Sequence, residues 1–206
     1  MGDAPDPRSF YAEQLPEQWN RALLEQERLV ESSRRELEGM RAVNATIAVE
    51  VRGEVSTTFH LNVSEGVMSA DDAPAHTPFL TVVQDRVGFE NLAREAGDSA
   101  LSMLGALTGL AGELKLTEAR VKLLAGIRGC LRFEVTGAQG FSLLTRFGDG
   151  AMPEEPDTTI RVAPETYAEL RAGRLDPQNA FMGGQIQVEG DMQLAMNLAL
   201  AALSPD

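Results

Sequence analysis

LRAGRLDPQNAFMGGQIQVEGDMQLAMNL, residues Leu170 to Leu198, packs several structural signals into one short run. Gly173 is placed to end a helix, where a glycine relieves the left-handed conformation that helix ends adopt. Asp176 and Pro177 predict a restart, with Asp as cap and Pro at the first helical position. Gly183 and Gly184 stop that second helix. Ile186 and Val188 then alternate with Gln185, Gln187 and Glu189, as in a strand buried on one face. After Gly190 and Asp191, the residues Met192, Ala195, Met196 and Ala199 follow the spacing of an amphipathic helix.

This stretch resembles the sterol carrier protein type 2 family. The resemblance is carried by Gly173-Arg174-Leu175-Asp176-Pro177-Gln178, by Ala180-Phe181-Met182, and by Gly184 through Leu198. It is tight over these residues, looser back to about Gly129, and weak before that; Gln185 and Gln187 stand where lysines are common. The resemblance implies an α+β fold with a mostly antiparallel five-stranded sheet covered by helices. It also implies a hydrophobic tunnel between the layers that binds sterols, fatty acyl chains or other lipids without changing them.

Upstream, the chain divides into a loose tail, Met1 to about Gln14, and a helix from about Pro16 to Arg41. Trp19, Leu23, Val30, Leu37 and Met40 lie on one stripe of that helix, interrupted by Gln26 and Ser33. The stripe suits packing on its own domain or a short dimerising helix. Strands are expected at Ala45 to Val51, Thr57 to Val63 and Phe79 to Val83. A turn is expected at Ser64 to Gly66, and a loop from Met68 to His76. Helices are expected over Val87 to Glu95, Ala100 to Leu110 and Glu118 to Ile127, with a short strand at Glu113 to Leu116. Leu131 to Val135, Phe141 to Phe147 and Thr158 to Val162 read as strands, and Pro164 starts the helix carrying Tyr167 and Leu170.

These two passages suggest an internal repeat. At an offset of 84, Glu50-Val51 meets Glu134-Val135, Gly53 meets Gly137 and Gly66 meets Gly150. At an offset of 78, Phe89 and Leu92 meet Tyr167 and Leu170. Two readings stand. One is a diverged tandem of sterol-carrier-like units, divided as 1–43 (tail and helix), 44–126 and 127–206. The other is chance similarity between hairpins, with one C-terminal domain beside an unrelated half.

Composition narrows the partners. The formal charge is −13, from 31 acidic against 18 basic side chains, which repels phosphate backbones and anionic headgroups. Nucleic acid is therefore not an expected partner, nor is stable membrane insertion, since no run approaches eighteen apolar residues. Cys130 is the single cysteine and cannot form an internal disulfide; with no apolar leader at the N-terminus, a cytoplasmic location is expected.

Catalytic equipment is sparse. His60 and His76 lack partners at metal-ligand spacing, and no nucleophile elbow, phosphate loop or dinucleotide fingerprint occurs. The expectation is a protein that is not an enzyme, with no catalytic or metal site and no cofactor beyond a bound lipid or fatty acid. By resemblance, the lining candidates are Phe133, Val135, Leu143, Ile160, Phe181, Met182, Ile186, Met192, Leu194, Met196 and Leu198. A second expectation is an accessory or dimerisation module that presents a lipid-like substrate to a partner enzyme.

Overall fold

The computed structural model describes residues 13–96 and 115–203, within two compact units, 1–38 and 39–206. The expected helix at Ala100 to Leu110 lies outside the described residues, as does the first half of Glu113 to Leu116. Helix α1, Leu15–Arg41, carries its charges as ion pairs along its own surface, Arg21 with Glu17 and Arg34 with both Glu31 and Glu38.

The larger unit is built on β1 (Ala45–Arg52), β2 (Thr57–Ser64), β3 (Val67–Asp71) and β4 (Leu80–Asp85), followed by α2 (Arg86–Ala96). After α3 (Glu118–Gly126) come β5 (Gly129–Val135), β6 (Phe141–Phe147) and β7 (Thr158–Val162). The chain closes with α4 (Pro164–Arg171), α5 (Pro177–Met182), β8 (Ile186–Gly190) and α6 (Met192–Leu203).

All eight strands form one sheet in the order β3-β2-β1-β4-β6-β5-β7-β8. This corrects the five-stranded expectation: the sheet is larger, and it is mixed, with β1–β4 and β5–β7 parallel and the other neighbours antiparallel. The register explains the number. Ile47 faces Leu80 across β1–β4, and Leu131 faces Thr158 across β5–β7. Val51 faces Thr57 across the first hairpin, and Val135 faces Phe141 across the second. These pairings agree residue for residue at the offsets of 84 and 78.

The flanks agree as well. Phe79 N–H donates to the carbonyl of Thr46, and its carbonyl accepts from Gly148; Asp157 N–H donates to Cys130, and its carbonyl accepts from Asp191. Strand β6 therefore stands beside β4 as β8 stands beside β7. In turn β4 lies beside β6 where β3 lies beside β2. Each half thus sits in a five-strand set, with β4 and β6 belonging to both.

A second correction concerns the expected loop from Met68 to His76. Val67–Asp71 is a strand, paired to β2 through a two-residue turn with positive φ at Glu65 (49°) and Gly66 (79°). This is the twist-matched turn of a tight hairpin. Every residue of β3 is exposed, so the alternation that marks a half-buried strand was missing. The matching segment of the second half contains Pro153 and Pro156 and forms no strand, because β4 already occupies that flank.

One face of the sheet carries the core. Ile47, Val49, Val63, Leu80, Val82, Leu131, Val135, Leu143 and Phe147 meet Leu92 of α2, Leu124 of α3, Tyr167 of α4 and Leu194 of α6. The opposite face is polar. There Arg161 bridges Glu134 (3.0 Å) and Glu189 (2.7 Å) across three strands. Thr46 donates to the Asn62 side chain at 2.7 Å, and Asn62 donates onward to Asp71. Hydrogen bonds from Asn62 and Ser69 hold the Asp71 carboxyl below the usual carboxylate range.

Candidate functional site

The C-terminal signals produce their elements as expected. The Asp176 side chain accepts from Asn179 N–H at 3.0 Å and caps α5, with Pro177 at its first position. The Asp191 side chain accepts from the N–H groups of Gln193 and Leu194, capping α6. Gly190 turns with φ +93°, and a Cβ there would run into the Asp157 carbonyl. These caps fix where β8 ends and how α6 leaves it.

On the helix-bearing face of β5, β6, β7 and β8, Phe133 stands between Leu143 and Ile160, and Ile160 faces Val188. Ile186 faces Val162 one pair along. Phe133 and Ile160 are only half-buried although they lie on inner strands, and Ile186, on the edge strand β8, is half-buried too. Tyr167 closes one end of this row, with its ring 6.0 Å from Phe133 and 5.4 Å, edge to face, from Phe141. Leu194 closes the other, over Gly129, whose missing side chain makes the room.

The eleven expected lining residues thus divide. Val135, Leu143 and Leu194 are buried packing. Phe133, Ile160, Ile186 and Leu198 are half-buried and pack against the core. Phe181, Met182, Met192 and Met196 are exposed, Met182 at 77%. Met192, Met196 and Leu200 follow one another at four-residue spacing on α6, so the helix carries an outward apolar stripe as well as an inward one. Isolated exposed apolar residues are ordinary, but three in register on one helix form an apolar stripe open to water.

Two clefts lie elsewhere in this unit. One of about 390 Å³ is lined by Val51, Arg52, Gly53, Glu54, Val55, Thr57, Phe59, Arg86 and Phe89. The other, about 240 Å³, runs past Asp85, Gly88, Glu134, Val135 and Phe141. No local spacing in the sequence marks the first. Its signal was available in the repeat, because Thr57 stands where the second half has Phe141.

Chemically reactive groups are few. Cys130 is buried on the polar side of the sheet, its Sγ 3.6 Å from Met152 Sδ. Burial, and then the charge of Asp157, push its thiol up to about 11. His60 is half-buried, with no hydrogen-bond partner at Nδ1. Among the described residues, no three His, Cys, Asp or Glu side chains gather as a metal site would need, and no helix is long and apolar enough to cross a membrane.

Comparison with known proteins assigns the C-terminal half. The chain is similar to sterol carrier protein 2 of Gallus gallus, at 27% identity over 135 residues, 58% of this chain and 25% of that protein. It is likewise similar to sterol carrier protein 2 of Rattus norvegicus, at 31% over 103 residues, 46% of this chain and 19% of that protein. It therefore spans a quarter or less of the length of these relatives. Among solved structures, the sterol carrier protein domain 2 of Helicoverpa armigera matches at 24% identity, covering 53% of this chain and 95% of its own, with a TM-score of 0.33. Residues 110–202 match the model of the SCP-2 sterol transfer family.

Proposed function

We propose that the C-terminal half binds the apolar chain of a lipid (a fatty acyl, sterol or isoprenoid group) between the sheet and α6, and carries it without chemical change. The observation that supports this most directly is the half-buried floor of Phe133, Ile160 and Ile186, together with the exposed methionines that α5 and α6 carry. An apolar chain laid there gains roughly 0.8 kcal/mol per buried methylene. Methionine suits such a site, because an unbranched thioether adapts to chains of different shape. A non-enzymatic role fits a floor built from hydrocarbon, and a reducing cytoplasm fits the protonated, buried Cys130. A tandem of two sterol-carrier-like units, 44–126 and 127–206, is the reading supported by the matching strand registers.

Native mass spectrometry of freshly purified protein tests the ligand, followed by extraction of whatever denaturation releases. A discrete added mass that resolves into a fatty acid, sterol or isoprenoid is expected. Ile160→Glu should abolish it, because a carboxylate in the floor opposes any hydrocarbon chain. A clean unliganded mass, with no uptake of a fluorescent octadecanoyl probe, would reject the carrier reading.

A further inference from the structure

The cleft of about 390 Å³ is in the N-terminal half, away from the floor described above and outside the family match at 110–202. Its size falls near the lower end of small-molecule sites. In the second half, the positions equivalent to Val51, Thr57, Phe59 and Phe89 are Val135, Phe141, Leu143 and Tyr167. There the Phe141 and Tyr167 rings meet edge to face, with 5.4 Å between their centres. In the first half Thr57 is too small to reach Phe89, and the space stays open.

The walls are apolar, from Val51, Val55, Phe59 and Phe89, and two guanidinium groups flank them. Arg52 faces Asp85 across the parallel ladder and Arg86 is the next residue, so both cations sit at one end of the sheet. The Arg86 guanidinium carbon lies 5.8 Å from the centre of the Phe89 ring. Arg52 uses its Nε on Glu50 (2.9 Å), and Arg86 uses its Nε on Glu90 (2.8 Å). Among the described residues, the terminal Nη groups of both make no hydrogen bond, leaving forked donors suited to a carboxylate. Glu54 also lines the cleft and opposes an anion, which favours a single negative charge over a phosphate dianion.

We infer that this cleft is a second binding site, which takes a small amphiphile with one carboxylate head and a short apolar chain. The head is held by the Nη groups of Arg52 and Arg86, and the chain lies on Val51, Phe59 and Phe89. The inference does not rest on the lipid site of the C-terminal half.

Titration of the full chain with carboxyl-¹³C decanoate, below its micelle concentration and followed by NMR, tests it. Thr57→Phe copies the residue at 141 and should remove one equivalent of binding while circular dichroism stays unchanged. The double substitution R52Q/R86Q, at two exposed positions, should weaken the same equivalent by about threefold to tenfold, as expected for exposed ion contacts. Ile160→Glu should leave it intact. If Thr57→Phe and R52Q/R86Q both bind decanoate as the parent does, the inference is overturned; it is also overturned if the parent takes up none. Loss of an equivalent in Ile160→Glu alone would support the C-terminal site and reject this one.

Discussion

The two halves of the sheet share a register and differ in how they are filled. In the second half Phe133, Phe141 and Tyr167 form a contiguous aromatic cluster against α4. At the matching places the first half has Val49, Thr57 and Phe89, and a cleft. Val162 ends β7 in the core, whereas its counterpart Gln84 is 3% exposed, and neither end of its amide has a partner among the described residues. The backbone plan is thus more uniform than the side chains laid on it. Strand pairing satisfies the same peptide groups whatever the sequence, while packing depends on each volume.

The largest effect is expected where the halves join. Phe147 is fully buried and faces Leu80 on one side and Gly129 on the other. Phe147→Ala should cost about 3–5 kcal/mol in urea unfolding. Fluorescence of probes in β1 and β7 should report one common transition, and separate midpoints would show that the halves are independent.

Next in size, Tyr167→Ala should cost about 3 kcal/mol, because it removes a ring packed on two others. The matching Phe89→Ala should cost about 1 kcal/mol, since that ring is half-buried beside a cleft. Equal losses would mean that the cleft is filled in solution.

Gln84→Val copies the second half and should raise stability by about 1 kcal/mol, since it removes two unsatisfied buried polar atoms. A loss instead would mean that the amide has a partner in solution, such as a bound water.

The smallest effect is in pH. Folded Cys130 holds its proton up to about 11, whereas an unfolded thiol ionises near 8.5. Its contribution is therefore complete below pH 8.5 and is lost as pH rises towards 11. The urea midpoint should fall across that window in the parent and fall less in Cys130→Ala. Thr46, the matching residue of the first half, does not titrate.

Much of this was legible in the residues. Asp176 and Pro177 act locally, so their cap could be read without knowing the fold. Gly173 and Gly184 likewise adopt the positive φ their positions suggest. Strand β3 was not legible, because both its faces meet solvent and its Val67 and Met68 carry no burial pattern. Nor was the strand count, because which strand flanks β6 is a tertiary choice that no local spacing encodes. The floor residues Phe133 and Ile160 were reachable only through the family resemblance, because their pairing across β5 and β7 is set by the register of the sheet. The exposure of Met182 and Met196 could not be foreseen, since a methionine reads as core in any periodic pattern.

Strands β4 and β6 form a seam, and a seam constrains what can be cut. A fragment beginning near residue 127 would lose β4 and leave one side of β6 with bare N–H and C=O groups. Its complement would lose β6 and bare β4, whose Leu80, Val82 and Val83 are buried and strongly apolar. Long apolar edges of this kind recruit other strands. Separately expressed halves are thus expected to aggregate or to find each other, and mixing them should restore a soluble sheet that neither forms alone.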